Sequence, residues 1–221
     1  MPHDYGRAQM TPFRNRAAAG RELAARLAED ARNRDAIVLA LPRGGVPVGY
    51  EISRELRIPM DVVLVRKLGV PGREELAMGA VATSGVSFVD QWTVERLSVT
   101  REQIEAVIER ERCELARRER EYRGDLPQPE LRDKTVICVD DGLATGASMR
   151  VAIAAIREGH PAHIIVAVPV AAPAIAEAMR NVADGIVVAR LPEHMRAVSA
   201  WYLDFSQTTD EEVRDLLARA R

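Results

Sequence analysis

Aromatic side chains are scarce, at 4% of the chain, so a core here is built from Ala, Val, Leu and Ile. Only two cysteines occur, Cys113 in a charged stretch and Cys138 in an apolar run. Their spacing makes no metal site and no disulfide framework, so the chain reads as a reduced cytoplasmic protein. No apolar run approaches the length of a membrane span. The opening residues, MPHDYGRAQMTPFRNR, lack the apolar stretch of a secretory signal. An excess of either charge is missing too: 31 Lys and Arg against 33 Asp and Glu leave a formal charge of −2. That balance argues against nucleic acid or a membrane as partner, while leaving room for a local basic pocket. Neither G-x-G-x-x-G nor G-x-x-x-x-G-K-[ST] is present. There is no internal repeat.

What is present is an alternation of short apolar runs and amphipathic stretches. AIVLALP (36–42), DVVLV (61–65), TVICVD (135–140), HIIVAVPVA (163–171) and DGIVVARL (184–191) read as buried strands. Helical patterns cover 16–29, the stretch ending near Leu56, 147–159, 173–182 and a short final segment from Asp210. Strands alternating with helices on this scale imply an α/β fold with a parallel sheet flanked by helices. AVAT and VSFV around Ser84-Gly85 predict a hairpin. Residues 100–122 predict one long charged helix, with Glu114–Arg118 and Glu119–Arg123 spaced for intrahelical ion pairs. Its narrow stripe of Ile104, Ile108, Leu115 and Tyr122 reads as a packing face or a homodimer face. The whole chain, 1–221, reads as one domain carrying a hairpin and long-helix insertion at about 76–125. A small hood would come from the N-terminal segment and about 191–221.

Ligands of an open parallel sheet sit beyond the carboxyl ends of its strands. Three strand ends here are suggestive. In VICVDDGLATGASM (136–149), Asp140 and Asp141 stand side by side ahead of Gly142, Leu143, Ala144, Thr145 and Gly146. The loop runs into a helix, so unpaired backbone N–H groups and the helix dipole would cradle an anion, with Ser148 adding a hydroxyl. The adjacent carboxylates repel one another and suit vicinal hydroxyls as hydrogen-bond donors. In LPRGGVPV (41–48), Gly44 and Gly45 admit close backbone approach and Arg43 offers a fork for phosphate oxygens. Arg66 and Lys67 form a basic pair just past the second strand, DVVLV. A phosphorylated ribose bearing a second anionic group would engage all three.

VICVDDGLATGASM resembles the 5-phosphoribosyl 1-pyrophosphate (PRPP) signature of type I phosphoribosyltransferases, and LALPRGG resembles that family's pyrophosphate loop. VRKLG, the charged helix and AWYLDF extend the resemblance over most of the chain. It implies a type I phosphoribosyltransferase-like fold and transfer of a phosphoribosyl group to a nitrogenous base or related small acceptor, with pyrophosphate released. Asp140 and Asp141 would then hold the ribose hydroxyls, and residues 142–146 with Ser148 the 5-phosphate. Arg43, Gly44, Gly45, Arg66 and Lys67 would hold the pyrophosphate. Mg²⁺ would be the cofactor, bound largely through PRPP, with Asp140 and Asp204 as its protein ligands. Catalytic duties would fall to Lys67 and Asp141.

Two departures from the family pattern narrow this picture. Hypoxanthine-type members carry an Asp before Thr-Gly, where this chain has Ala144, as adenine-type members do. Either the nucleophile needs no such proton acceptor, or Glu74 or Glu75 supplies one from VPGREELAMG (70–79), which, with the hairpin beyond it, is the candidate closing element. On the base side, Trp201 is the candidate stacking ring, and the acceptor stays unnamed. A non-catalytic PRPP- or nucleotide-sensing regulator of the same fold is the competing reading.

Overall fold

The structure is a computed structural model, and it describes residues 11–31, 35–124 and 126–220. The first ten residues of the expected N-terminal hood lie outside the described residues. Helices α1 (Arg16–Ala31) and α2 (Gly45–Leu56) bracket strand β1 (Ala36–Ala40), and β2 (Met60–Val62) follows. Then come β3 (Val65–Val70), β4 (Arg73–Ala82), β5 (Ser87–Val89), α3 (Gln91–Arg96) and α4 (Arg101–Arg123). The pattern resumes with β6 (Thr135–Val139), α5 (Ala147–Arg157), β7 (His163–Val170), α6 (Pro173–Arg180) and β8 (Gly185–Arg190). A 3-10 turn (Val198–Trp201) and α7 (Asp210–Arg219) end it.

Five parallel strands form the main sheet in the order β2-β1-β6-β7-β8. Every residue of β1 and β6 is buried, as their unbroken apolar runs require of strands covered on both faces. Alternate residues supply two cores: Val38, Ile137 and Ala167 face one, and Ile37, Val136 and Val166 face the other. Helices α1 and α2 join the first core, with Leu23, Leu27, Val48 and Ile52 fully buried. Helix α5 closes the second through Met149, Ile153 and Ile156. Cys138 is buried in β6 and Cys113 is exposed on α4; both are free thiols.

The antiparallel sheet β3-β4-β5 differs from the sequence expectation at one end. The expected strand 61–65 ends at Val62, and Arg66 and Lys67 lie inside β3. Residues 70–79, expected as a loop, form a hairpin with its turn at Pro71-Gly72. Residues 73–77 of β4 are all exposed, so the tip has no apolar-polar alternation to betray a strand. The Ser84-Gly85 turn joins β4 to β5 as expected, with Gly85 N–H donating to the Ala82 carbonyl at 2.9 Å.

Helix α4 opens with a capping box, in which the Thr100 hydroxyl accepts from Gln103 N–H and Gln103 accepts in return from Thr100 N–H. The expected Glu114–Arg118 and Glu119–Arg123 pairs form at 3.0 and 2.9 Å. Its apolar stripe packs on β3, β4 and α7 of the same chain, so that face is used internally. Arg123 anchors the far end. It is buried, bonds Asp61 at 3.0 Å, and donates to the Val62 carbonyl at 2.7 Å. Arg123→Ala strands the Asp61 carboxylate and that carbonyl, and is expected to destabilise the fold by about 3 kcal/mol in urea titrations. An unchanged midpoint would show the anchor to be dispensable.

No helix among the described residues is long and apolar enough to cross a membrane.

Candidate functional site

Strands β1 and β6 are parallel neighbours in register from Ala36↔Thr135 to Ala40↔Val139, so the turns that follow them emerge together. Leu41 N–H extends the ladder by donating to the Val139 carbonyl at 2.8 Å. Past this point the turns are packed tightly. A Cβ built on Gly44 would lie 2.0 Å from Asp141 Oδ2, and one on Gly45 would lie 2.7 Å from the Val139 carbonyl oxygen. Real Cβ atoms do not approach that closely, so both glycines are required by the fit of one turn against the other. The Pro42–Arg43 peptide is cis.

The two carboxylates meet different surroundings. Asp140 Oδ1 accepts from Asp141 N–H at 2.8 Å, and burial, followed by the charge of Asp141, pushes its carboxyl well above the ordinary Asp range. Burial pushes Asp141 up too, against the opposing hydrogen bonds and charge of Arg16. Arg16 donates Nε and Nη2 to Asp141 Oδ2 at 2.9 and 2.8 Å, with only 11% and 15% of the two side chains exposed. Its Nη1 reaches the Ser206 carbonyl at 2.7 Å, and its guanidinium lies 3.9 Å from the Phe205 ring centroid. Tyr202 completes the clamp by donating its hydroxyl to the Asp141 carbonyl at 2.6 Å. The pair thus divides: Asp141 is the carboxylate held by a cation, and Asp140 the one whose charge is suppressed.

Behind the carboxylates, the loop 142–146 is pinned at its base by Leu143 N–H to the Val170 carbonyl at 2.9 Å. Gly146 takes φ +72° at the start of α5, which receives no side-chain cap. Thr145 Oγ1 accepts only a long 3.4 Å bond from Ala147 N–H. Ala144, Thr145, Ala147 and Ser148 are exposed. An uncapped helix start with outward N–H groups favours an anion.

Pro42, Arg66, Asp140 and Ser148 line one cavity of about 90 Å³. The three chemistry-bearing stretches therefore converge as the sheet topology requires. Arg66 is tied to Glu111 at 2.8 Å, and a wider groove of about 430 Å³ adjoins, lined by Arg66, Lys67 and Glu74. Lys67 Nζ donates to the Glu75 carbonyl at 2.7 Å, while the Glu75 residue itself is exposed on the hairpin. Arg43 points elsewhere, toward Asp210 at the start of α7, at 3.5 Å.

Two expectations shift. Trp201 packs against the core, and the aromatic that reaches the carboxylates is its neighbour Tyr202. Asp204 is exposed beside a separate cavity with Arg16 and Ser206, and the Ser206 N–H holds its carboxyl below the usual range. Sequence reasoning missed Arg16. The available signal was a cation in the first turn of α1, where it opposes the helix dipole and so needs a partner elsewhere.

A family model for the phosphoribosyl transferase domain matches residues 7–190. Two Mycobacterium tuberculosis proteins, provisionally named phosphoribosyl transferases, are 37% identical over 211 residues. Those matches cover 96% of this chain and 47% of theirs, so the chain spans about half the length of these relatives. A crystal structure of a Thermus thermophilus protein superimposes with TM-score 0.81 at 39% identity, covering 95% of this chain and 99% of that one. An Aquifex aeolicus protein shares the fold at TM-score 0.50 and 15% identity, over 91% of this chain and 84% of its own. The matched span takes in both the paired turns after β1 and β6 and the loop that opens α5, and on that footing the chain belongs to the phosphoribosyl transferase domain family.

Proposed function

We propose that the chain binds PRPP at the ends of β1 and β6 and transfers its phosphoribosyl group to a nitrogen of a small acceptor. The observation that carries this reading is the shared cavity of Pro42, Arg66, Asp140 and Ser148. It brings a basic group, a carboxylate and a helix start to one cavity, which supports the reading. The 5-phosphate takes the N–H groups of 144–147 and the Ser148 hydroxyl, since Leu143 N–H is held by the Val170 carbonyl. Asp140 and Asp141 accept from the ribose hydroxyls, and the Arg43–Gly45 turn with Arg66 and Lys67 receives the pyrophosphate. At C1 the bond to the pyrophosphate oxygen breaks with its electron pair, and a bond to the acceptor nitrogen forms. These residues contribute positioning and leaving-group stabilisation. Glu74, lining the adjoining groove, is the carboxylate available for the acceptor's proton.

Mg²⁺ would supply charge neutralisation on the departing pyrophosphate. No group of three or more His, Cys, Asp or Glu among the described residues is placed to hold a metal. The residues present fit an ion carried mainly by the ligand's own oxygens, with Asp140 as the nearby carboxylate.

Calorimetry with PRPP and Mg²⁺ is expected to show binding that Asp140→Asn with Asp141→Asn weakens by roughly 100-fold, as the loss of two carboxyl contacts would. Equal affinity in the double variant would sink the reading. Pyrophosphate release across purines, pyrimidines and simple amines then identifies the acceptor class. Binding without release throughout that panel would instead mark a PRPP-responsive regulator.

A further inference from the structure

The inserted helix α4 reaches the same cavity. Arg118 lines the 90 Å³ space with Pro42, Arg66, Asp140 and Ser148, and also lines the adjoining 430 Å³ groove with Lys67. It stands where the two spaces meet. Its Nε donates to Glu114 Oε1 at 3.0 Å, but that carboxylate already accepts Nε and Nη2 of Arg117 at 2.8 and 3.0 Å. One carboxylate serves two guanidinium groups. Among the described residues, the Nη groups of Arg118 have no acceptor.

A second observation links the helix turn after Arg118 to the Arg43 turn. One turn along α4, the Tyr122 hydroxyl donates to Asp210, the carboxylate that pairs with Arg43. Both Arg43 and Arg118 lie close enough to act electrostatically on that hydroxyl. The arginine of the turn after β1 and the tyrosine one turn along from Arg118 therefore share the Asp210 carboxylate.

We propose that Arg118 is a pyrophosphate-binding residue, presented by α4 and acting with Arg43 and Arg66. The inference rests on the PRPP reading of the site. A diphosphate carries more charge than one guanidinium neutralises, and planar forks match its oxygens two at a time. The 5-phosphate is served from the other side, and Ser148 is the one residue of that cradle that lines the cavity of Arg118.

The test is calorimetry on the full chain with three probes: PRPP with Mg²⁺, pyrophosphate with Mg²⁺, and ribose 5-phosphate. Arg118→Ala is expected to weaken PRPP and pyrophosphate by roughly 10- to 100-fold and to leave ribose 5-phosphate unchanged. Arg118→Lys, which keeps the charge and loses the fork, should fall between. Glu114→Gln should retain wild-type affinity, because the guanidinium stays. Wild-type pyrophosphate affinity in Arg118→Ala, with its melting temperature intact, would overturn the inference. So would an equal loss for ribose 5-phosphate, or an Arg118→Lys variant that folds and binds pyrophosphate like wild type. A wild-type chain that binds none of the three probes would remove the PRPP reading, and this inference with it.

Discussion

Gly44→Ala is expected to abolish PRPP binding and to lower stability together. The added methyl would sit 2.0 Å from Asp141 Oδ2 and 2.6 Å from its Cγ. Gly44 has φ −62°, so alanine suits the backbone conformation and the penalty is one of space alone. Two turns would have to separate. The turn after β1 is tied to the sheet by Leu41 N–H, and Asp141 is held by Arg16 and Tyr202, so neither yields freely. Overpacking of this kind costs about 1–3 kcal/mol. In a chain of this size each kcal/mol lowers the melting temperature by roughly 2–4 °C. Whichever turn moves, the carboxylate and the Arg43–Gly45 turn lose their relative placement, so binding should fall by more than stability alone explains. Calorimetry at a temperature where the variant remains folded separates the two effects. Normal PRPP affinity in Gly44→Ala would show that the ligand does not depend on the fit between the two turns.

Asp140→Asn and Asp141→Asn should shift stability in opposite directions. Asp140 titrates above its unfolded value, so over the window between the two values the folded state holds a proton that the unfolded state has lost. Stability therefore falls as pH rises through that window, and the loss persists above it. Asn carries no charge to bury, so Asp140→Asn should flatten this pH dependence and raise the melting temperature at neutral pH. Asp141→Asn removes the partner of a largely buried guanidinium. Arg16 would then draw the Asp140 carboxyl down toward its ordinary range, which softens the loss to about 1–3 kcal/mol. Melting curves from pH 4 to about 8 read both effects, the upper limit lying well below Arg titration. Parallel behaviour of the two variants would refute the division of roles between the carboxylates.

Much of this architecture was legible because its elements announce themselves locally. TVICV is an unbroken apolar run, and it became a fully buried central strand. The charged stretch 100–122 reads as one long helix, and α4 occupies Arg101–Arg123. Asp140-Asp141 was visible as a clash of like charges at a strand end, which is unfavourable without a compensating group. The β3–β4 hairpin was not legible, since Gly69, Pro71 and Gly72 signal a turn while the exposed Arg73–Ala77 stretch gives no period. Long-range partners left even less trace. Arg16 meets Asp141 across 125 residues and Tyr122 meets Asp210 across 88, and no repeat in a single sequence encodes such a meeting. Arg43 was read as a fork for phosphate oxygens, and its pairing with Asp210 left no trace in the sequence because it depends on where α7 docks.

The clamp on Asp141 has a consequence for synthesis. Ribosomes deliver the chain from its amino end, and folding can begin before the last residues emerge. Arg16 and Asp141 are both made well before Tyr202, Phe205 and Ser206, which supply the hydroxyl, the ring and the carbonyl that complete their setting. A nascent chain paused before Tyr202 can assemble the parallel sheet while its acidic pair is still incompletely braced. Ligand competence on the ribosome should thus arrive as a late, abrupt event.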